Sequence, residues 1–180
     1  MRSDGSSGAP EIETERLILR GMRRDDFDAH AALWADPQVT RFIGGKPLTR
    51  EEAWNSFVRY FGMWALLGFG FWAVTDKATG RLVGEAGFQE RMRDIDPSIE
   101  GTIETGWTIL PEAHGQGLAS ETVVAMLAWA DRVLPDKRIT CLIAPQNTAS
   151  MRVAHKNGFR AFARADYQGG EVVLLERTKT

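Results

Sequence analysis

The sequence predicts one α/β (α+β) domain, and three observations carry that prediction. Runs of strand-like alternation and of helical periodicity succeed one another along most of the chain. Two strand-like runs, F-G-F-W-A-V-T-D and R-L-V-G-E-A-G-F, are joined by the turn D-K-A-T-G and therefore form an antiparallel hairpin. The stretch from Ile103 to Ser120 passes without interruption from strand to a loop with two glycines to a long helical pattern.

Size and composition set the outer bounds. A chain of 180 residues that is 43% hydrophobic can bury a substantial core, so a single globular domain is expected and a linker-joined pair is not. The formal net charge of -2 gives no reason for nucleic-acid binding or for attraction to an anionic membrane. Any polyanion must be held locally. Cys141 is the only cysteine and lies inside I-T-C-L-I-A, which excludes a disulfide framework and a cysteine-rich metal site and makes it a small buried apolar residue. No apolar run approaches the roughly 18 residues of a membrane span, and the N-terminus lacks a signal-peptide core. The expectation is a cytoplasmic protein with no metal, no nucleic acid and no membrane as partner.

Residues 1–10, M-R-S-D-G-S-S-G-A-P, are small and polar and read as a flexible tail, leaving 11–180 as the domain. T-E-R-L-I-L-R alternates Leu17 and Leu19 against Arg16, Ile18 and Arg20 and gives the first strand. Asp25 and Asp26 open a helix whose face carries Phe27, His30, Ala31 and Trp34 and which ends near Asp36-Pro37. His30 reads as a packing or capping residue. After the break V-T-R-F-I-G-G-K-P, the capping box T-R-E-E starts a second helix at Thr49, with Trp54, Phe57, Val58, Phe61 and Trp64 as its apolar stripe. Such a stripe serves as core or as the wall of a substrate pocket, and both readings stand here.

The hairpin follows, then a polar loop from Gln89 to Gly101 with no secondary structure. In the next strand, Thr102 to Leu110, alternation sets Glu104, Gly106 and Thr108 on one side and Ile103, Thr105, Trp107 and Ile109 on the other. A helix from Leu118 to Val133 presents Val123, Leu127, Ala130 and Leu134 and ends at Leu134-Pro135. K-R-I-T-C-L-I-A is a buried-type strand, A-P-Q-N a turn, and T-A-S-M-R-V-A-H-K-N-G a short helix closed by Gly158. His155 lies on its solvent face. F-R-A-F-A-R-A and E-V-V-L-L-E-R form two last strands around Q-G-G.

The loop H-G-Q-G-L-A-S at 114–120 carries the chemistry. Unpaired N–H groups and aligned dipoles at a helix start attract phosphate, and glycines allow close approach to the main chain. A glycine turn between strand and helix is equally a plain connection, so the residues alone leave both open. Leu118 and Ala119 after Gly117 exclude a P-loop, which needs Lys and Ser or Thr there. Counting from Gly115, a dinucleotide fingerprint would end on Ser120 in place of Gly or Ala, and Asp136 lies before the next strand, which excludes that motif too. What remains is an R/Q-x-x-G-x-G/A loop with His114 at its head.

Taken together, T-E-R-L-I-L-R, I-E-T-G-W-T-I-L, H-G-Q-G-L-A-S-E and N-T-A-S-M-R-V-A-H-K-N-G-F, in this order and spacing, make the sequence resemble the GNAT acetyltransferase superfamily. Within it the likeness is to the ribosomal-protein N-acetyltransferase (RimJ/RimL-like) branch, and it covers nearly the whole chain after the tail. The resemblance implies a GNAT fold: a mixed, strongly twisted sheet of about seven strands, splayed between the fourth and fifth, flanked by about four helices. Acetyl-CoA as cosubstrate would lie in the splay. Its pantetheine would follow the backbone of Ile109 and Leu110, and its pyrophosphate the loop His114, Gly115, Gln116, Gly117, Leu118, Ala119 and Ser120. Asn147 would bond the pantetheine amide region, although an N-cap before T-A-S-M is as natural for it. A charged His114 would add to the phosphate site; loop N–H groups would also suffice without it.

The reaction implied is direct acetyl transfer to a primary amine, with Glu104 as base and Ser150 as proton donor to the leaving thiolate. Many members place a tyrosine acid in the helix before G-F, where this sequence has Ala154. In similar proteins the segment carrying Trp34, Phe42, Trp54, Phe57 and Trp64 lines the acceptor side. A protein or peptide N-terminus is the first expected acceptor and a small-molecule amine the second. A non-catalytic acyl-CoA-binding module is the alternative from another class, and a homodimer stays open.

Overall fold

A computed structural model describes residues 7–178. Its strands are β1 (Ile12–Glu13), β2 (Leu17–Arg20), β3 (Phe71–Asp76), β4 (Leu82–Gln89), β5 (Ile103–Ile109), β6 (Ile139–Ile143), β7 (Phe159–Tyr167) and β8 (Gly170–Arg177). Its α-helices are α1 (Phe27–Ala35), α2 (Pro37–Thr40), α3 (Arg50–Leu67), α4 (Leu118–Val133) and α5 (Thr148–Lys156). The strands form one open sheet in the order β1-β2-β3-β4-β5-β6-β8-β7. Every neighbouring pair is antiparallel except β5 and β6.

That parallel pair is short. Only Ile103 with Ile139 and Glu104 with Thr140 are in register, and beyond them the strands part. The expected splay is therefore present, between the fifth and sixth strands once the two-residue β1 is counted. β1 was not expected as a separate strand because Ile12 and Glu13 carry no periodic pattern of their own; they pair with Leu19 and Ile18. α2 was also not expected. Asp36-Pro37 stops α1 and at the same time starts α2, with Asp36 Oδ1 accepting from the Gln38 amide at 2.7 Å and Pro37 in the first turn.

Local signals elsewhere decide the elements directly. The Thr49–Glu52 capping box is closed in both directions and starts α3. Asp76 accepts from the Thr79 amide and hydroxyl at 2.8 and 2.7 Å, and Gly80 at φ 70° completes the β3–β4 turn.

One face of the sheet is covered by α4, where Trp72, Phe88, Ile103 and Ile109 meet Val123, Met126 and Trp129. The opposite face of β3 and β4 is covered by α1 and α3 through Phe57, Tyr60 and Met63 against Phe71 and Ala73. Further along that face the 90–101 loop folds back, setting Ile95 and Ile99 on Ala165 and Leu174. The stripe expected on α3 is rotated: Ala53, Phe57, Tyr60, Met63 and Trp64 face inward, while Trp54 and Val58 are exposed. The inward set keeps the i, i+4, i+7 spacing and includes a tyrosine with a buried partner, described below. Of the expected flexible tail, residues 1–6 lie outside the described residues. Ser7 to Pro10 are tied down, the Ser7 amide donating to Met22 O and Trp72 Nε1 to Pro10 O.

Candidate active site

β5 and β6 leave the sheet in the same direction and each runs into a helix, α4 and α5 respectively. Two helix N-termini therefore stand at the carboxyl ends of two diverging parallel strands, the place where open α/β sheets form a ligand crevice. The edge of β5 that lines the gap follows from alternation. The Ile103 amide donates toward β6, to Arg138 O at 2.9 Å, and the Leu110 amide donates the other way, to Val83 O at 2.8 Å. Main-chain groups of the odd-numbered residues thus turn to the gap, Trp107 and Ile109 among them, beyond the last residue β6 pairs with. Leu110, expected there with Ile109, has its amide committed to β4. Trp107 was not singled out from the sequence, although period-two alternation could have named it.

The loop beyond β5 is shaped by two left-handed glycines, Gly115 at φ 75° and Gly117 at φ 79°, the latter serving as N-cap of α4. No side chain caps this helix. Among the described residues, the N–H groups of Gly115, Gln116, Gly117, Leu118, Ala119 and Ser120 have no protein acceptor, and the first intrahelical bond is Glu121 N–H to Gly117 O. They form a row of donors at the positive end of a 16-residue helix. His114 is used inside the protein: its Nε2 donates to Ile109 O at 2.7 Å and ties the head of the loop to the strand.

The loop is braced from the far end of the chain. Glu121, in the first turn of α4, accepts from Thr14 Oγ1 at 2.7 Å, from the Arg16 amide at 2.9 Å and from Arg16 Nε at 2.8 Å. Arg16 Nη1 also donates to Gln116 O at 2.8 Å. Burial alone would raise the Glu121 carboxyl, but the Thr14 and Arg16 hydrogen bonds outweigh it and hold the group below its usual range.

On the other limb of the gap, Asn147 caps α5, its Oδ1 accepting from the Ser150 amide at 3.2 Å. The cap and not a free side-chain oxygen is what the structure contains. The Ser150 hydroxyl is half-buried and has no protein partner among the described residues. Ala154, where a tyrosine stands in many similar sequences, is fully buried in the core.

Glu104 lies where the gap begins, on the α3 side of the sheet and away from Trp107, as alternation requires; β5 carries no bulge. Its carboxylate is held by three donors: Arg93 Nε to Oε2 at 2.5 Å, Arg93 Nη2 to Oε1 at 2.6 Å and Gln89 Nε2 to Oε1 at 2.7 Å. A carboxylate has about four acceptor sites, so one remains open. Arg93 in turn lies over the Tyr167 ring at 4.8 Å. Nothing in the 89–101 loop sequence singled out Arg93.

Deeper on the same face is a second carboxylate. Glu85 Oε1 meets His30 Nδ1 at 2.6 Å, and Oε2 accepts from Trp34 Nε1 and Tyr60 OH, each at 3.0 Å. Burial, then the charge and hydrogen bond of Glu85, push the Tyr60 phenol well above its usual range, so it stays a neutral donor. His30 is fully buried in this network, with Nε2 near Ala53 O and Ser56 Oγ. The sequence signal was available: an acid inside the apolar run G-E-A-G-F has to be partnered. Of the aromatic residues expected at an acceptor site, Phe57 and Trp64 are core, Trp34 serves Glu85, and Phe42 and Trp54 are partly exposed.

Among the described residues no group of His, Cys, Asp and Glu is arranged to hold a metal ion, and no helix is long and apolar enough to cross a membrane.

Comparison with known proteins matches residues 16–160 to the family described as acetyltransferase (GNAT) domain. The uncharacterized N-acetyltransferase YoaA of Bacillus subtilis (strain 168) is 29% identical over 152 residues, covering 84% of this chain and 83% of its own length. A solved structure assigned to the GNAT family from Bordetella pertussis superposes with a TM-score of 0.84 at 33% identity, covering 94% of this chain and all of its own. RimL, the ribosomal L7/L12 α-N-protein acetyltransferase, solved in complex with coenzyme A, shares the fold at a TM-score of 0.76 and 18% identity, over 93% of this chain and 97% of its own.

Proposed function

The chain belongs to the GNAT acetyltransferase family and is an acetyl-CoA-dependent N-acetyltransferase; on that premise we propose that its acceptor is the α-amine of a protein or peptide N-terminus. The observation that carries the cosubstrate assignment is the row of unengaged N–H groups from Gly115 to Ser120 at the mouth of the β5–β6 gap. These donors would hold the pyrophosphate, and the gap-facing backbone of Ile109, with that of Trp107, would run beside the pantetheine arm. Asn147, while capping α5, has its amide nitrogen left to donate to the same arm. A RimJ/RimL-like position within the family accords with the shared fold of RimL, itself an α-N-protein acetyltransferase.

The chemistry needs a neutral amine. Its nitrogen attacks the thioester carbon, the C–S bond breaks, and the proton lost by the amine is balanced by one gained by the CoA thiolate. Glu104 supplies the base through its one open acceptor site, and Ser150, at the start of α5, supplies the proton to sulfur. Arg93 and Gln89 occupy three of the acceptor sites of Glu104, so one site is left to draw the proton from an amine that gives it up readily. That suits an α-amine: with pKa values near 8 and 10.4, deprotonating lysine at neutral pH costs about 3 kcal/mol more. This difference is why we place N-termini ahead of lysine side chains; small-molecule amines come second.

The test is CoA-thiol release from acetyl-CoA over a panel of peptide N-termini, lysine side chains, polyamines and aromatic amines. Turnover confined to free α-amines supports the reading. Release with polyamines or drug-like amines alone contradicts it, and CoA binding with no release from any amine points to a non-catalytic acyl-CoA module.

A further inference from the structure

The face of the sheet opposite α4 carries more positive charge at the gap than its own carboxylates neutralise. Gln89 sits directly across from Glu104 in the β4–β5 register, and the chain leaving β4 there brings Arg91 and Arg93 to the foot of the gap. Arg93 is matched by Glu104. Arg91 is half-buried, and only its Nε is engaged, donating to Gln89 Oε1 at 3.0 Å. Arg59, on the exposed side of α3, stands close enough to act on both Arg91 and Tyr60. Among the described residues neither Arg59 nor Arg91 has a carboxylate within ion-pair reach; several other arginines also lack one, but Arg91 is half-buried and stands beside Arg93 at the gap. Glu90 and Asp94 flank Arg91 and Arg93 in the chain and pair with neither.

Arg91 and Arg93 thus stand at Glu104 with Arg59 near Arg91, while Glu85, deeper on the same face, is taken up by His30, Trp34 and Tyr60. Burial first, then the like charges of Arg59 and Arg93, lower Arg91 from the usual guanidinium range, so this placement is unfavourable for the protein by itself. The phosphate-binding loop belongs to α4, which packs on the other face. An acceptor entering the gap from the opposite face meets Arg91 and Arg59 beside Glu104.

We propose that the acceptor amine carries an anionic group, a carboxylate or a phosphate, that is received by Arg91 with Arg59, while Glu104 takes the amine; this rests on the transferase reading above. An N-terminus with acidic residues at its first positions and a free small amine bearing a carboxylate both offer that chemistry. Arg91 and Arg59 are specificity-determining residues and not part of the bond-making step.

The experiment measures kcat/KM for acetyl transfer to peptides with a free N-terminus followed by two Glu, two Gln or two Lys residues, and to small amines with and without a carboxylate or phosphate. Wild type favours the acidic acceptors over their neutral counterparts by about tenfold or more, and added salt erodes the preference. Arg91→Gln removes about tenfold from the acidic acceptors and little from the neutral ones, with CoA affinity by calorimetry retained. Arg59→Gln, at an exposed site with no hydrogen-bond or ion-pair partner among the described residues, acts in the same direction by a smaller factor. Whichever acidic acceptor is faster, peptide or small amine, names the source. Equal rates for acidic, neutral and basic acceptors overturn the anion preference, a full preference kept by both variants overturns its assignment to Arg91 and Arg59, and both results leave the transferase reading standing. Absence of turnover with every amine overturns both.

Discussion

Arg93 lies across both oxygens of Glu104, Nε to Oε2 at 2.5 Å and Nη2 to Oε1 at 2.6 Å, at the point where β5 and β6 separate. The pair does two things at once. It fixes the carboxylate in direction, and it leaves that carboxylate only a small capacity to accept a further proton donor. Glu104→Gln keeps the size and one acceptor oxygen but removes the base. We expect kcat to fall on the order of 100-fold, with CoA affinity by calorimetry little changed. An unchanged kcat in a folded variant removes Glu104 from the chemistry and leaves it as the anchor of Arg93.

The loop assignment is separable from the chemistry. Gly117 has φ 79°, so any side chain there carries backbone strain, and Asn and Asp tolerate that conformation about equally. Gly117→Asp and Gly117→Asn therefore differ mainly in charge. The Asp variant is expected to bind CoA at least roughly threefold more weakly than the Asn variant, because the added charge stands beside the N–H row that would hold the pyrophosphate, offset in part by Arg16, whose Nη2 lies 3.7 Å from where the new Cβ would stand. Equal affinities for the two variants contradict the placement of phosphate at the loop.

The brace between the β1–β2 turn and α4 has a pH signature. The folded-state carboxyl of Glu121 is held below its usual range, so its contribution is complete above the ordinary carboxylate pKa of about 4.3 and is lost as pH falls through the lower folded value. Glu121→Gln is expected to cost about 1–2 kcal/mol in urea unfolding at pH 7 and progressively less below pH 4. A cost that stays constant down to pH 3 contradicts the ionic origin of the brace.

Much of this architecture is local and was legible in the residues. The Thr49–Glu52 capping box, the limits of α4 at Leu118 and Val133, and the D-K-A-T-G turn depend on neighbours a few positions apart. The splay came through resemblance, since neither periodicity nor spacing states that β5 and β6 part after Glu104, whereas the glycine loop at a helix start was legible in the residues as an anion site or a plain connection, and resemblance favoured the first. What stayed hidden is long-range. Arg16 reaches Glu121 across 105 positions, and His30 reaches Glu85 across 55. Arg93 sits in a loop without pattern, so its grip on Glu104, which bears most on the mechanism, had no sequence signal. The face of α3 was misjudged because Tyr60 was not counted as inward; its hydroxyl is needed by Glu85.

Cys141 was expected to be a small buried apolar residue, and it is 1% exposed in the core beneath α4. Burial, and secondarily the charge of Glu104, push its thiol far above the ordinary range. A thiol reagent at pH 8 is expected to leave the native protein unmodified and to label it once unfolded in denaturant. Rapid labelling of the native protein contradicts the packing of β6.

The central claim is that this chain moves an acetyl group from acetyl-CoA to an α-amine placed at the β5–β6 gap. The most direct measurement offers one peptide with a free N-terminus and an internal lysine and locates the acetyl group by tandem mass spectrometry while CoA thiol is counted. The expected result is acetylation at the α-amine, one thiol released per acetyl transferred, and both rates falling together in the Glu104→Gln variant. Acetylation of the lysine with the N-terminus untouched, or thiol release with no acetylated peptide, would contradict it.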